Sequence, residues 1–335
     1  MDIKNTLFEL SQAAGIGNIT EAADKAYEIL SNYAVCEKNG LTVLGKIKGK
    51  SDHTLMLDAH IDEIGFVVTD VDDDGFLTVK NCGGIDLRTL PARTVTIHGK
   101  ERVRGVFCAT PPHLGGPKEY DDIQSLKIDT LLGKEAKEVI SVGDFVTFYQ
   151  SACELMNGRI TGKSLDNRAS VTCLLELACR LSGKELPFNV VFAFTDMEEL
   201  GTRGAKTAAF SISPDEAIVI DVSFADAPDV SGNDCGKLGK GAMIGMSPVL
   251  DKAISKKLVA TAKENNLSYQ TEVMGSSTGT NSDVISISKS GVKTALVSIP
   301  LRNMHSDVEI IDIKDIENVC DLLENYILKG ATQNA

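Results

Sequence analysis

A chain of 335 residues with 34 basic against 47 acidic side chains carries a net charge of −13. With no basic run anywhere along it, neither nucleic acid nor an anionic membrane surface is an expected partner, since both are bound through clustered Lys and Arg. No apolar stretch approaches the ~20 residues of a spanning helix. MDIKNTLFELSQAAG lacks the basic and apolar regions of a secretory signal, and the eight Cys form no C-x-x-C pair. The expectation is a cytoplasmic protein with reduced thiols, long enough for two domains.

Leu7, Leu10 and Ala13 keep helical spacing before Gly15, and EAADKAYEILSNYA (21–34) repeats it, which predicts two helices. TLMLDA (54–59) reads as a buried strand. From 67 to 159 the runs are short and alternating or β-branched: FVVTDV, GFLTVK, TVTIHG, VRGVFCA and DFVTFYQ. Turn chemistry separates them, as at DDDG (72–75) and GGPKEYDD (115–122). These spacings predict a small β-rich domain, 67–159, inserted into a discontinuous α/β domain, 1–66 plus 160–335. A helix follows from Arg168 to Ser182, striped by Val171, Leu174, Leu175, Ala178 and Leu181, with Gly183 just past its end. VVFAFTD (190–196), AIVID (217–221) and TALVSIP (294–300) read as further strands. Ile313–Leu328 is a last amphipathic helix, with Asp312 as N-cap and Gly330 as stop.

In an open α/β sheet, ligands bind beyond the carboxyl ends of parallel strands. His60 and Asp62 follow one such run, Glu198 and Glu199 another, Asp221 ends a third, and His305 lies beyond a fourth. Asp166 stands just before a helix. Each has a bland reading by itself. H-x-D suits a solvated strand end, and Asp166 suits an N-cap. Glu198 and Glu199 suit a solvated turn, although one carboxylate on a metal and one moving protons would also use such a pair. Asp221 fits the bland reading least, because a charge ending an apolar run is costly unless paired or metal-bound. Asp62 could orient His60 through the far ring nitrogen. Together, imidazoles and carboxylates at one sheet edge make a site for two divalent metals, and the reading is a metallohydrolase. His53 (before its strand), His98 (in a hairpin turn) and His113 are expected to be surface or structural. SGNDCGKLGKG (231–241) does not match a phosphate loop and is read as a flexible loop bordering the crevice. DDDG lacks calcium-loop spacing.

AHIDEIGF (59–66), PPHL (111–114), GKSLDNRAS (162–170), EELGTRGA (198–205), IDVS (220–223) and PLRNMHS (300–306) resemble, in order and over nearly the whole chain, the tetrahedral aminopeptidase family. That family includes glutamyl and deblocking aminopeptidases and proteins once labelled cellulase M. The resemblance implies an α/β metallopeptidase domain with a mixed, mainly parallel sheet flanked by helices. It also implies an inserted PDZ-like β domain used in dimer contacts. One metal would be held by His60, Asp166 and Asp221, and the other by Asp166, Glu199 and His305, with Glu198 as general base and Asp62 orienting His60. Zn²⁺ is the expected ion, with Co²⁺ or Mn²⁺ competing for the same donors. Short peptides are the implied substrates, and dimers built into a tetrahedral dodecamer the implied assembly. Glutamyl preference would require a basic pocket group, such as Arg203 or Arg302. Three positions depart from the family pattern: Asn281 replaces Asp in G-T-D-A, Asn303 an aromatic, and Phe224 a His. Two other readings stay open: hydrolysis of another amide (N-acyl or carboxyl-terminal), and a metal-stabilised assembly binding peptides by strand addition. A glycosidase would need its carboxylates flanking a glycosidic bond rather than gathered around metals.

Overall fold

The computed structural model describes residues 1–115, 120, 122–228, 230–232 and 235–330. Most of the turn expected at GGPKEYDD, and residues 233 and 234 of the Gly-rich loop, therefore lie outside the described residues.

Four apolar runs form the centre of the fold. Phe188–Thr195, Ser51–His60, Glu216–Phe224 and Lys293–Leu301 lie side by side and mutually parallel. Outside them, Thr42–Ile47 and then Val35–Asn39 add antiparallel strands at one edge. Ala242–Met246 adds antiparallel at the other, followed by Tyr269–Val273, completing an eight-stranded mixed sheet. Alternate residues of the central strands face opposite layers, as a period of two requires. Leu55, Leu57, Phe192, Phe194, Ile218, Ile220 and Val297 pack with helices Ile3–Gln12, Glu21–Leu30, Leu165–Leu181 and Ile313–Leu328. Met56, Ala193, Ala217, Val219 and Leu296 pack with helix Arg203–Ile212 and the turn at Ile285. Burial on both faces explains why these strands read as continuous apolar runs.

Gly65–Val71, Leu77–Cys82, Thr94–His98, Arg102–Phe107, Ile128–Asp129 and Phe145–Phe148 close into a barrel. It has its own core, in which Phe66 stacks edge-on against Phe107 and Phe148 with ring centroids 5.1 and 5.5 Å away. DDDG makes its first hairpin, with Asp72 accepting from the amides of Asp74 and Phe76. A small sheet of Cys153–Leu155, Arg159–Gly162 and Glu309–Asp312 leads the chain from the barrel back to the α/β layers.

The two best-bounded helices run Leu165–Leu181 and Ile313–Leu328, and the Asp312 side chain caps the second by accepting from Lys314 N. The expected helix 21–34 ends at Leu30. His53 does not precede its strand but lies within it, edge-on to Phe188. His98 ends Thr94–His98, with its Nε2 2.9 Å from Thr147 Oγ1. His113 is exposed in a short 3₁₀ turn. The described part of the Gly-rich loop is tied down, not free: Gly239 and Gly241 amides donate to Asp315 at 2.7 Å.

Candidate metal centre

His60 ends its strand directly opposite Thr195, and Asp221 lies two residues beyond the paired Val219 and Asp58. Parallel pairing thus brings both side chains to one edge, on the face shared by Met56, Ala217 and Val219. Asp166 enters from the start of helix Leu165–Leu181. It is no N-cap: Ser164 holds that position, and no side chain caps the helix. The Asp166 carboxylate turns instead to the two imidazoles. Its Oδ1 is 3.0 Å from His60 Nε2, and its Oδ2 is 3.5 Å from His305 Nε2. Asp221 Oδ1 lies 3.7 Å from His60 Nε2, and Glu199 Oε1 lies 3.3 Å from His305 Nε2. Asp62 stands 3.5 Å from His60 Nδ1 while accepting from the amides of Glu198 and Glu199 at 3.1 and 3.2 Å. All seven residues singled out by sequence therefore meet in one place.

The charges are badly balanced without a cation. Burial pushes the carboxyls of Asp221 and Glu199 up and that of Glu198 to about 7, with Glu199 adding to the last by repulsion. Burial also opposes charge on His305, but Asp166 and Glu199 outweigh it and hold the imidazole up at about 11. Asp166 itself, despite burial, is kept well below the usual carboxylate range by His305 and His60. More carboxylates than imidazolium ions can neutralise share this space, which is the condition a bound divalent cation relieves. The donor atoms fit that role. Those of His60, Asp166 and Asp221 lie within 4.8 Å of one another, as do those of Asp166, Glu199 and His305, and of His60, Glu198 and Glu199. Oxygen and imidazole donors without thiolate suit first-row divalent ions.

A cavity of about 470 Å³ opens onto the centre, walled by Phe224, Glu272, Met304 and the segment Gly275–Thr280. Neither Arg203 nor Arg302 lines it, and Arg302 is instead paired with Asp226 at 3.1 Å. Of the three departures from the family pattern, only Phe224 reaches the cavity. Asn303 donates to Val308 O, and Asn281 is buried beneath the centre. Sequence reasoning missed Glu309, which is 2 % exposed and accepts from the amides of Asp166 and His305. Its only signal was a charge opening the strand Glu309–Asp312, ahead of the apolar pair Ile310 and Ile311.

Carboxylates and imidazoles gather at the carboxyl edge of a mainly parallel sheet, facing a cavity, in a donor set that could hold metal. The family model of M42 glutamyl aminopeptidases matches residues 42–322, and the chain belongs to that family of tetrahedral aminopeptidases. The lysyl aminopeptidase of Pyrococcus furiosus is 32 % identical over 289 residues, covering 84 % of this chain and 82 % of that one. Among solved structures, the aminopeptidase APDkam598 from the archaeon Desulfurococcus kamchatkensis matches with a TM-score of 0.91. It is 30 % identical and covers 98 % of this chain and 95 % of that one. The TET1 peptidase of Pyrococcus horikoshii, described as able to assemble into a tetrahedron or a large octahedral shell, gives 0.87 at 30 % identity. There the match covers 98 % of this chain and 100 % of that one.

Proposed function

We propose that this chain is a dimetal aminopeptidase that releases N-terminal residues from short peptides. The observation that carries the reading is Asp166, whose two oxygens face two different imidazoles, each flanked by a further carboxylate. His60, Asp166 and Asp221 would hold one cation and Asp166, Glu199 and His305 the other, with Zn²⁺ favoured and Co²⁺ or Mn²⁺ as competitors. Two such ions would supply Lewis acidity, lowering the pKa of a water and polarising the scissile carbonyl. Glu198, on the cavity wall, takes the proton of the attacking water on its carboxylate and delivers it to the nitrogen of the departing amine as the C–N bond breaks. Asp62, 3.5 Å from His60 Nδ1, would orient that ring, and it holds the Glu198–Glu199 turn through two amides.

The inserted β-rich domain, residues 67–159, which holds nearly all of the barrel, is the proposed dimerisation module. Its exposed Val106, Leu131 and Val142 supply apolar surface for that contact, and the assembling P. horikoshii relative supports higher oligomers. A cytoplasmic setting agrees with free cysteines throughout the chain. No helix among the described residues is long and apolar enough to cross a membrane.

The test is release of p-nitroaniline from a panel of aminoacyl substrates, with protein stripped by chelator and reloaded with Zn²⁺, Co²⁺ or Mn²⁺. Activity that returns with metal supports the reading; silence across the panel at full metal occupancy removes it. Glu198→Gln is expected to keep its metal while losing at least about 10²-fold in kcat. A variant with undiminished kcat would relieve Glu198 of the role of base.

A further inference from the structure

Two backbone amides of the metal centre end on a single side chain. Asp166 N donates to Glu309 Oε2 and His305 N donates to Glu309 Oε1, both at 3.0 Å. Neither amide sits where regular structure would satisfy it. Asp166 is in the first turn of its helix, where N–H groups have no intrahelical acceptor, and has the non-helical angles φ −77° and ψ 105°. His305 has φ +60°, in the left-handed region that few non-glycine residues adopt. A buried amide in either place needs an acceptor, and Glu309 supplies both.

Glu309 is itself anchored. It opens the strand Glu309–Asp312, where it pairs with Gly162, four residues before Asp166. It belongs to none of the clusters of candidate metal ligands, so its influence on the centre runs through the backbone. The loop that carries His305 has a second brace at Asp307, 3.3 Å from Arg93 of the barrel segment. Arg93 ties that loop to its own segment, where its Nε donates to Thr89 O, whereas Glu309 joins the loop to the Asp166 turn.

We propose that Glu309 is a positioning residue that sets the separation of Asp166 and His305 and thereby the affinity of the cation site these two share with Glu199. The inference rests on the dimetal reading above. Its chemistry depends on a carboxylate accepting with both oxygens. Glu309→Gln keeps the shape but replaces one acceptor with an NH₂ that opposes an amide N–H, so one of the two residues is released.

The test measures metal content after dialysis against buffered free Zn²⁺, together with competition titrations by a chelator. Wild type is expected to hold two equivalents. Glu309→Gln is expected to bind the cation of Asp166, Glu199 and His305 at least about tenfold more weakly, the usual consequence of losing a supporting partner, and the other, which shares only Asp166 with it, less so. Its activity should recover as free metal is raised, which a general loss of structure would not permit. Glu309→Ala should behave alike; if it does not fold, Glu309→Gln carries the test alone. Two tight equivalents in Glu309→Gln would overturn the proposal, as would equal weakening of both sites with no recovery by metal. A wild type that binds no metal would remove the dimetal reading, and this inference with it.

Discussion

Asn281 donates its side-chain amide to Asp58 Oδ2 at 2.8 Å and to Thr195 Oγ1 at 3.0 Å, while Thr195 donates to Asp58 Oδ1 at 2.9 Å. Asp58 is fully buried two residues before His60, and burial pushes its carboxyl up to about 6 even with these donors in place. The amide at 281 is therefore matched to the carboxylate at 58. Asn281→Asp would set two carboxylates against each other without water and is expected to cost about 3 kcal/mol of stability. Exchanging both, Asp58→Asn with Asn281→Asp, should restore most of the loss. Thermal unfolding of the three variants decides it, since an Asn281→Asp protein as stable as wild type would mean that the pairing contributes nothing. The sequence marks Asn281 as unusual for its family, yet its partner lies 223 positions away, and only strand pairing brings them together. Asp166 is hard to read for a related reason: a helix start suits a cap, and only the fold turns its carboxylate to the imidazoles of His60 and His305.

The segment Gly275–Thr280 walls the cavity without belonging to any helix or strand, and Asp283 holds it. The carboxylate of Asp283 accepts from Ser277 Oγ at 2.6 Å, from Thr278 Oγ1 at 2.8 Å, and from the amides of Thr278 and Gly279 at 3.0 and 3.2 Å. Asp283→Ala should loosen the wall but leave the proposed metal ligands in place. The expected result is KM raised by about tenfold, equivalent to 1.4 kcal/mol of lost substrate binding, with metal content unchanged. Steady-state kinetics with metal analysis would refute this if kcat fell while KM stayed constant. Legibility at this scale followed amphipathicity. Leu165–Leu181 and Ile313–Leu328 advertise themselves by apolar stripes between stop signals, and the central strands by length and β-branching. Helix Arg203–Ile212 does not, because its buried face is Gly204, Ala205, Ala208 and Ala209. A Cβ on Gly204 would come within 2.3 Å of Asp196 O, so close approach here replaces side-chain bulk. The hairpin Val35–Asn39 with Thr42–Ile47 escaped notice because its outer strand is largely exposed and polar, as edge strands tend to be.

Across the whole molecule, negative charge dominates and the cavity follows suit. Among the described residues lining it there is no Lys or Arg, whereas Glu272 stands on its wall in addition to the metal-centre carboxylates. A substrate with an acidic N-terminal side chain would bury its charge there with no basic counterpart. Glutamyl-p-nitroanilide should therefore be cleaved with kcat/KM lower than the leucyl or lysyl compounds by about tenfold or more. A glutamyl preference would overturn this account of the pocket's charge. The barrel enters the same account at an unexpected point. Gly83 and Gly84, on the loop after its strand Leu77–Cys82, run so near the centre that a Cβ on the first would lie 3.1 Å from Glu199 Oε2 and on the second 3.2 Å from His305 Nδ1. The insert is thus not a detachable accessory. Cutting it away to obtain a minimal peptidase would strip the backing from Glu199 and His305, so a unit that keeps these two side chains in place must include the insert. For the same reason, grafting a foreign module at this junction will succeed only if two bare backbone positions are preserved where it meets Glu199 and His305.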